Sequence, residues 1–217
     1  MSDDHSLSTR ERSEHWYPNM RVRGVDARPV FDISEFGSVE HLQEVGNEIS
    51  AEILEVEQKI TAEFGCDFAD LSTGGRWENF NIKSGDEWNE NAKKLLPITH
   101  EWLSSFPRLG ELCFISRLPS GSTIKPHCGP WNIRANLHLG VTIPEECGIS
   151  IAGHALKWEE GGWLAFDDSF EHHVWNDSST TRLVLVVNAW HPDLTEAEIS
   201  VFQSISNILV TCEEELV

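Results

Sequence analysis

The chain has 217 residues, enough for one domain that buries about two-thirds of the unfolded chain's surface. Its 36 Asp and Glu against 16 Lys and Arg leave a formal charge of −20, which repels phosphate backbones and anionic lipid and sets nucleic acid and membranes aside as partners. Five cysteines scattered without a C-x-x-C pair fit neither a disulfide framework nor a zinc ribbon, and no apolar run approaches the roughly 18–20 residues of a membrane span. The first residues lack the apolar stretch of a secretion signal, so the expectation is a cytoplasmic protein.

Residues 1–34 are polar and aperiodic and read as an N-terminal arm, with a single domain over 35–217. From Ser38 the pattern changes. Leu42, Val45, Ile49, Ile53, Val56, Ile60 and Phe64 recur at steps of three and four, which predicts a helix capped by Ser38 and closed by Gly65. A second helical stretch is predicted over 86–106, broken or kinked at Pro97; together these make a helical support over 38–106. Short β-like runs follow at 112–118, 133–143, 149–151, 163–166, 170–175 and 182–190, separated by Gly, Pro and Asn-Asp turn signals. This predicts a mainly β fold with flanking helices, a sandwich or jelly roll whose core spans about 111–191. A last helix is expected over 195–210, with Glu213, Glu214 and Glu215 as a solvated tail.

Three places in the β region could carry chemistry. In the run 132–141, Asn132, Arg134, Asn136 and His138 alternate with Ile133, Ala135, Leu137, Leu139 and Val141. All the polar groups therefore share one face, either a wet outer surface or the lining of a ligand cavity. In 182–190, Arg182 shares a face with Val184 and Val186 while Leu183, Leu185 and Val187 occupy the other. Apolar neighbours on both faces enclose the guanidinium, which then needs an anion, an internal carboxylate or a bound acid. His127 sits in the stiff turn Lys125-Pro126-His127-Cys128-Gly129-Pro130, and His172 alternates with Phe170 and Val174 whereas His173 alternates with Glu171 and Trp175. Two separated histidines and an enclosed arginine suit a metal site holding an anionic co-substrate, although imidazole alone does not choose the metal.

The stretches R-L-P-S-G-S-T-I-K-P-H-C-G-P (117–130), H-L-G-V-T-I-P (138–144), W-E-E-G (158–161), F-D-D-S-F-E-H-H-V-W (166–175) and W-H-P-D-L-T (190–195) closely resemble the aspartyl/asparaginyl β-hydroxylase family of iron(II)/2-oxoglutarate-dependent oxygenases. The resemblance covers roughly residues 75–197. It implies a double-stranded β-helix and an enzyme that hydroxylates an unactivated C–H while O2 converts 2-oxoglutarate to succinate and CO2. It also implies iron(II) bound by His127 and His172, with Gly129 where most such oxygenases carry a carboxylate. Ser116 and Arg182 would hold the distal carboxylate of 2-oxoglutarate, and His138 would lie near the carboxylate that chelates the metal. Family members acting on protein Asp/Asn have an Arg-x-Arg pair where this chain has Arg134-Ala135-Asn136.

The missing second arginine tilts the expectation toward an amino-acid-derived or natural-product small molecule, with a peptidyl Asp/Asn side chain as the other substrate. Arg134, Asn136 and Trp131 are the candidates for substrate contact, against the alternatives of a surface salt bridge for Arg134 and a core cap for Trp131. Asp168, four residues before His172, would orient that ring or bond a metal-bound water. Because Gly129 leaves a position where halide could bind, halogenation or desaturation with the same cofactors is one alternative. A jelly-roll binding protein without turnover is another.

Overall fold

The computed structural model describes residues 21–66 and 69–214. Two antiparallel sheets form its body. Numbered in chain order, the strands are β1 (Val30–Phe31), β2 (Ser72–Thr73), β3 (Glu78–Ser84), β4 (Glu87–Trp88), β5 (Leu109–Leu118) and β6 (Ser122–His127) in the first half. The second half adds β7 (Arg134–Thr142), β8 (Cys147–Ile151), β9 (His154–Leu156), β10 (Trp163–Phe166), β11 (His172–Asn176) and β12 (Arg182–Trp190). The larger sheet runs β1-β10-β7-β12-β5-β3-β4 and the smaller β2-β6-β11-β8-β9. The sheets enclose a shared core, the jelly roll expected from the spacing of the runs.

Helix α1 (Val39–Ile60) begins where Ser38 Oγ accepts from His41 N, and it buries Leu42, Val45, Ile49, Ile53, Val56 and Ile60. That stripe lies on the outer face of the large sheet, against Ala135, Leu137, Leu139, Leu185 and Val187. Each such side chain, fully buried, stabilises by about 1.5–3 kcal/mol. The close fit depends on Gly46, where a Cβ would stand 2.8 Å from Trp163 Nε1 and 3.0 Å from the Gly161 carbonyl. On the inner face, Phe114, Leu118, Val184 and Val186 meet Ile124, Ile149, Ile151 and Val174 of the small sheet. Alternation along β7 and β12 thus sends the aliphatic odd positions to the helices and Asn136, His138 and Arg182 between the sheets.

Several expectations need correction. The helix from Ser38 ends at Ile60 and continues only as a 3-10 turn, Thr61–Glu63; Gly65 does not cap it but bridges to Asn79. The second helical stretch is present and is broken at Pro97 as expected, but it starts later than residue 86, since Glu87–Trp88 is strand. β3 and β4 form a hairpin around Gly85 (φ 56°), and only then come α2 (Glu90–Leu95) and α3 (Pro97–Ser105). Asn89 caps α2 by accepting from Asn91 N and Ala92 N, and Pro97 opens α3 at its first turn, where no N–H is needed. Residues 1–20 of the expected arm lie outside the described residues, whereas residues 21–34 pack onto the fold. Val22 exchanges two hydrogen bonds with the Asn132 side chain, β1 pairs with β10, and Arg28 grips Glu35 through two bonds of 3.2 and 3.0 Å. Helix α4 (Glu196–Glu214) takes in Glu213 and Glu214, read from sequence as tail. Among the described residues no helix is long and apolar enough to cross a membrane.

Candidate active site

A cavity of about 240 Å³ opens between the sheets, lined by both candidate histidines together with Ser116, His138, Arg182 and Asp168. His127 is not in a turn: it ends β6, and the register of β6 with β11 places it directly opposite His172. The two ring centroids lie 4.2 Å apart. Each ring is oriented in the same way, His127 Nδ1 on the Lys125 carbonyl and His172 Nδ1 on the Phe170 carbonyl, both at 2.8 Å. A neutral imidazole that donates from Nδ1 keeps its lone pair on Nε2, the arrangement seen in metal-ligating histidines. Burial pushes His172 down to about 3, with His127 beside it adding to the effect, and burial lowers His127 as well. Both rings are therefore neutral donors at physiological pH. Among the described residues no group of three or more His, Cys, Asp or Glu side chains is placed to hold a metal ion.

The opposite wall carries a cation. Arg182 is 1% exposed; its Nη1 donates to Ser116 Oγ at 3.1 Å while its Nε has no partner. Its guanidinium lies 5.3 Å from the centre of the Trp158 ring, which also stacks with His138 at 6.0 Å and 19°. Burial pulls Arg182 down to about 10 with Cys147 opposing the pull, and among the described residues no carboxylate pairs with it. His138 is held neutral by burial next to Arg182, and its buried Nδ1 is also without a partner. A buried guanidinium and an imidazole nitrogen left unpaired in one cavity mark a place for an anion.

Asp168 completes the polar lining. Burial raises its carboxyl to about 7; Oδ2 accepts from Asn136 Nδ2 at 3.4 Å, and Oδ1 is shielded from solvent with no partner. It does not orient the His172 ring, a task that falls to the Phe170 carbonyl. Instead it stands beside Gly129, where a Cβ would meet its Cγ, Oδ2 and Oδ1 at 2.4, 2.5 and 2.6 Å. Gly129 has no side chain because the carboxyl of Asp168 fills that space.

Two candidates lie elsewhere. Arg134 does not line the cavity: its guanidinium pairs with Glu111 at 2.8 Å, donates to Asn188 Oδ1 at 2.8 Å and lies 4.4 Å above the Trp190 ring. The nearby carboxylate, carboxamide and indole hold the guanidinium outside the cavity lining. Trp131 packs with Ile133, Trp190 and Leu194 and is likewise absent from the lining. Conversely, Trp77 and Asn188 line the cavity without having been singled out. Trp77 Nε1 donates to Ser116 Oγ at 2.8 Å, giving the serine oxygen two donors. Alternation counted on from Arg182 would have found Asn188; nothing local marks Trp77.

The chain matches the profile of the family described as "Aspartyl/Asparaginyl beta-hydroxylase" over residues 40–192. It is 38% identical over 183 residues to the Homo sapiens protein named aspartyl/asparaginyl beta-hydroxylase, an alignment covering 80% of this chain and 24% of that protein. Against the ornithine lipid ester-linked acyl 2-hydroxylase of Rhizobium tropici the identity is 29% over 182 residues, covering 80% and 64%. This chain therefore spans about a quarter of the human relative and under two-thirds of the bacterial one. Among solved structures, a Pseudomonas putida prolyl-4-hydroxylase aligns over 67% of this chain and 86% of its own, with a TM-score of 0.45 and 12% identity.

Proposed function

The chain belongs to the aspartyl/asparaginyl beta-hydroxylase family, and we propose that it is an iron(II)- and 2-oxoglutarate-dependent dioxygenase that hydroxylates a C–H bond. One observation carries this reading. A pair of histidines with matched Nδ1 anchors faces, across one cavity, a fully buried guanidinium that has no carboxylate partner among the described residues. His127 and His172 would hold the metal through Nε2, Arg182 with Ser116 would take the distal carboxylate of 2-oxoglutarate, and His138 would face the carboxylate that chelates the metal. Iron(II) with 2-oxoglutarate supplies the activation of O2, the co-substrate leaving as succinate and CO2.

The protein's own part is binding, orientation and exclusion of water. Trp77 and Arg182 both donate to Ser116 Oγ, which fixes the serine, and Trp158 stacks on Arg182 and His138 from behind. Phe114, Ile124, Ile149 and Val186 wall the cavity with hydrocarbon and keep water from competing for the cation. Halogenation is disfavoured because the space beside Gly129 is filled by the oxygens of Asp168, which repel a halide. A scaffold without turnover is disfavoured because it has no need of two histidines with matched Nδ1 anchors and a buried guanidinium in the same cavity. The relatives are named for different substrates, protein Asp/Asn side chains in one and an ester-linked acyl chain in the other. Here the substrate is assigned only as an amino-acid-derived or natural-product small molecule or a peptidyl side chain.

The test needs no substrate. Iron(II) and then 2-oxoglutarate are added to the protein without oxygen, and visible metal-to-ligand charge-transfer absorption is followed. A saturable band that is lost in His127→Ala and weakened in Arg182→Ala is expected. Absence of a band from folded wild-type protein overturns the proposal.

A further inference from the structure

The proposed metal ligand His172 and the proposed co-substrate ligand His138 stand on different sheets. His138 lies on β7 of the large sheet and His172 on β11 of the small one. Ladder register fixes each residue within its own sheet, so the placement of one histidine relative to the other is set by side chains packed between the sheets. Phe166 is such a side chain. It is fully buried and ends β10, where the chain leaves the large sheet on its way to β11. Its ring stands edge to face with His138, centroids 4.9 Å apart at 84°, and with His172, centroids 5.2 Å apart at 63°. One phenyl ring thus touches a histidine of each sheet.

The ring is itself held in place. Phe166 pairs with Asn136 of β7 on one side and with Val30 of β1 on the other, and the N–H of the next residue, Asp167, donates to the Pro29 carbonyl at 3.2 Å. Edge-to-face contacts are directional, because the positive edge of one ring meets the negative face of the other. A phenyl ring therefore restricts how each imidazole can turn, whereas an aliphatic side chain would fill the space without that direction. Phe166 is absent from the cavity lining, so any effect on a bound molecule passes through the histidines. We propose that Phe166 is a positioning residue that sets the orientation of His172 and His138 relative to each other. Through them it sets the place of the metal relative to the carboxylate of 2-oxoglutarate that chelates it, and a site organised beforehand in this way binds more tightly. The proposal deepens the iron(II) and 2-oxoglutarate reading of the cavity and rests on it.

The experiment titrates 2-oxoglutarate into oxygen-free protein loaded with iron(II) and follows the charge-transfer band, with urea unfolding of the metal-free proteins alongside. Phe166→Leu removes the ring and keeps an apolar side chain; Phe166→Tyr keeps the ring. Phe106→Leu controls for packing alone, since Phe106 is buried in the helix-side core and also loses an aromatic partner, Trp102 at 5.1 Å. Phe166→Leu is expected to shift the band and raise the half-saturating 2-oxoglutarate concentration about threefold to tenfold, the loss of one or two aromatic pairs. Phe166→Tyr should stay within about twofold of wild type, and Phe106→Leu, far from the cavity, within about twofold even where it unfolds at less urea. Loss of the band from folded Phe166→Leu, with the band kept in Phe166→Tyr, is the stronger form of the same result. If leucine at 166 prevents folding, Phe166→Met replaces it; if tyrosine does, the contrast with Phe106→Leu decides. Half-saturation of the folded ring-less variant within about twofold of wild type, an equal rise in Phe106→Leu, or no rescue by a folded Phe166→Tyr overturns the proposal and leaves the co-substrate reading standing. A wild-type protein without a band refutes the co-substrate reading itself, and this proposal with it.

Discussion

Arg182→Met separates what the guanidinium costs the fold from what it does for binding. Burial pulls Arg182 down to about 10; at about 1.4 kcal/mol per pH unit, that depression below the ordinary arginine range costs the folded state about 3 kcal/mol. Against this stand one hydrogen bond to Ser116, worth about 1 kcal/mol, and the Trp158 ring at 5.3 Å, worth about 1–2 kcal/mol when shielded from water. Methionine is unbranched and adaptable and refills most of the volume. The metal-free variant is therefore expected to unfold within about 1 kcal/mol of wild type, although a fully buried side chain has been replaced. With metal present the two proteins should diverge. Co-substrate at 100 times its Kd stabilises a protein that binds it by about 2.7 kcal/mol, and the variant should gain almost none of this. Urea unfolding followed by tryptophan fluorescence, without oxygen and with and without 2-oxoglutarate, measures both quantities. A metal-free loss of about 3 kcal/mol or more would mean that the guanidinium has an internal partner. That loss, or undiminished stabilisation of the variant by 2-oxoglutarate, refutes the reasoning.

Gly129→Ala should destabilise by about 1–3 kcal/mol, because the new methyl must displace the Asp168 carboxyl. Adding Asp168→Ala should recover most of that loss in a double-mutant cycle, and strictly additive losses would contradict the contact. Asp167 is pushed up to about 8 by burial, with Oδ1 accepting from Ser169 N and Oγ and Oδ2 unpartnered. Its folded value lies above the unfolded one of about 3.9, so its protonated form stabilises fully below about pH 4 and this contribution is lost as pH rises through about 8. Asp167→Asn does not titrate, and its thermal stability should rise relative to wild type steadily from pH 4 to pH 8; a difference that stays flat across that range would count against the buried acid.

Period-two and period-3.6 patterns are local, which is why the stripe of α1, the two-faced strand at 134–142 and the enclosed Arg182 could be read from sequence. Where identity comes from pairing, local reading failed. β3 reads E-N-F-N-I-K-S, with polar Asn79 and Lys83 buried, and it is a strand because it pairs with β5. β6 was hidden by Pro126, yet its register with β11 is what brings His127 opposite His172. Arg134 and His138 share a face by alternation, but Glu111 and Trp190 draw the arginine to the rim while His138 stays under Trp158.

The sequence by itself determined which residue types exist to bind a metal and an anion, which faces they share along a strand, and through its motifs the family. Only the tertiary structure decided which of them meet: the paired histidines, the buried arginine with no carboxylate partner among the described residues, and the carboxyl of Asp168 in the space that Gly129 leaves open. Alternation follows from the geometry of one strand, whereas register and rim contacts follow from which distant strands and loops pack together.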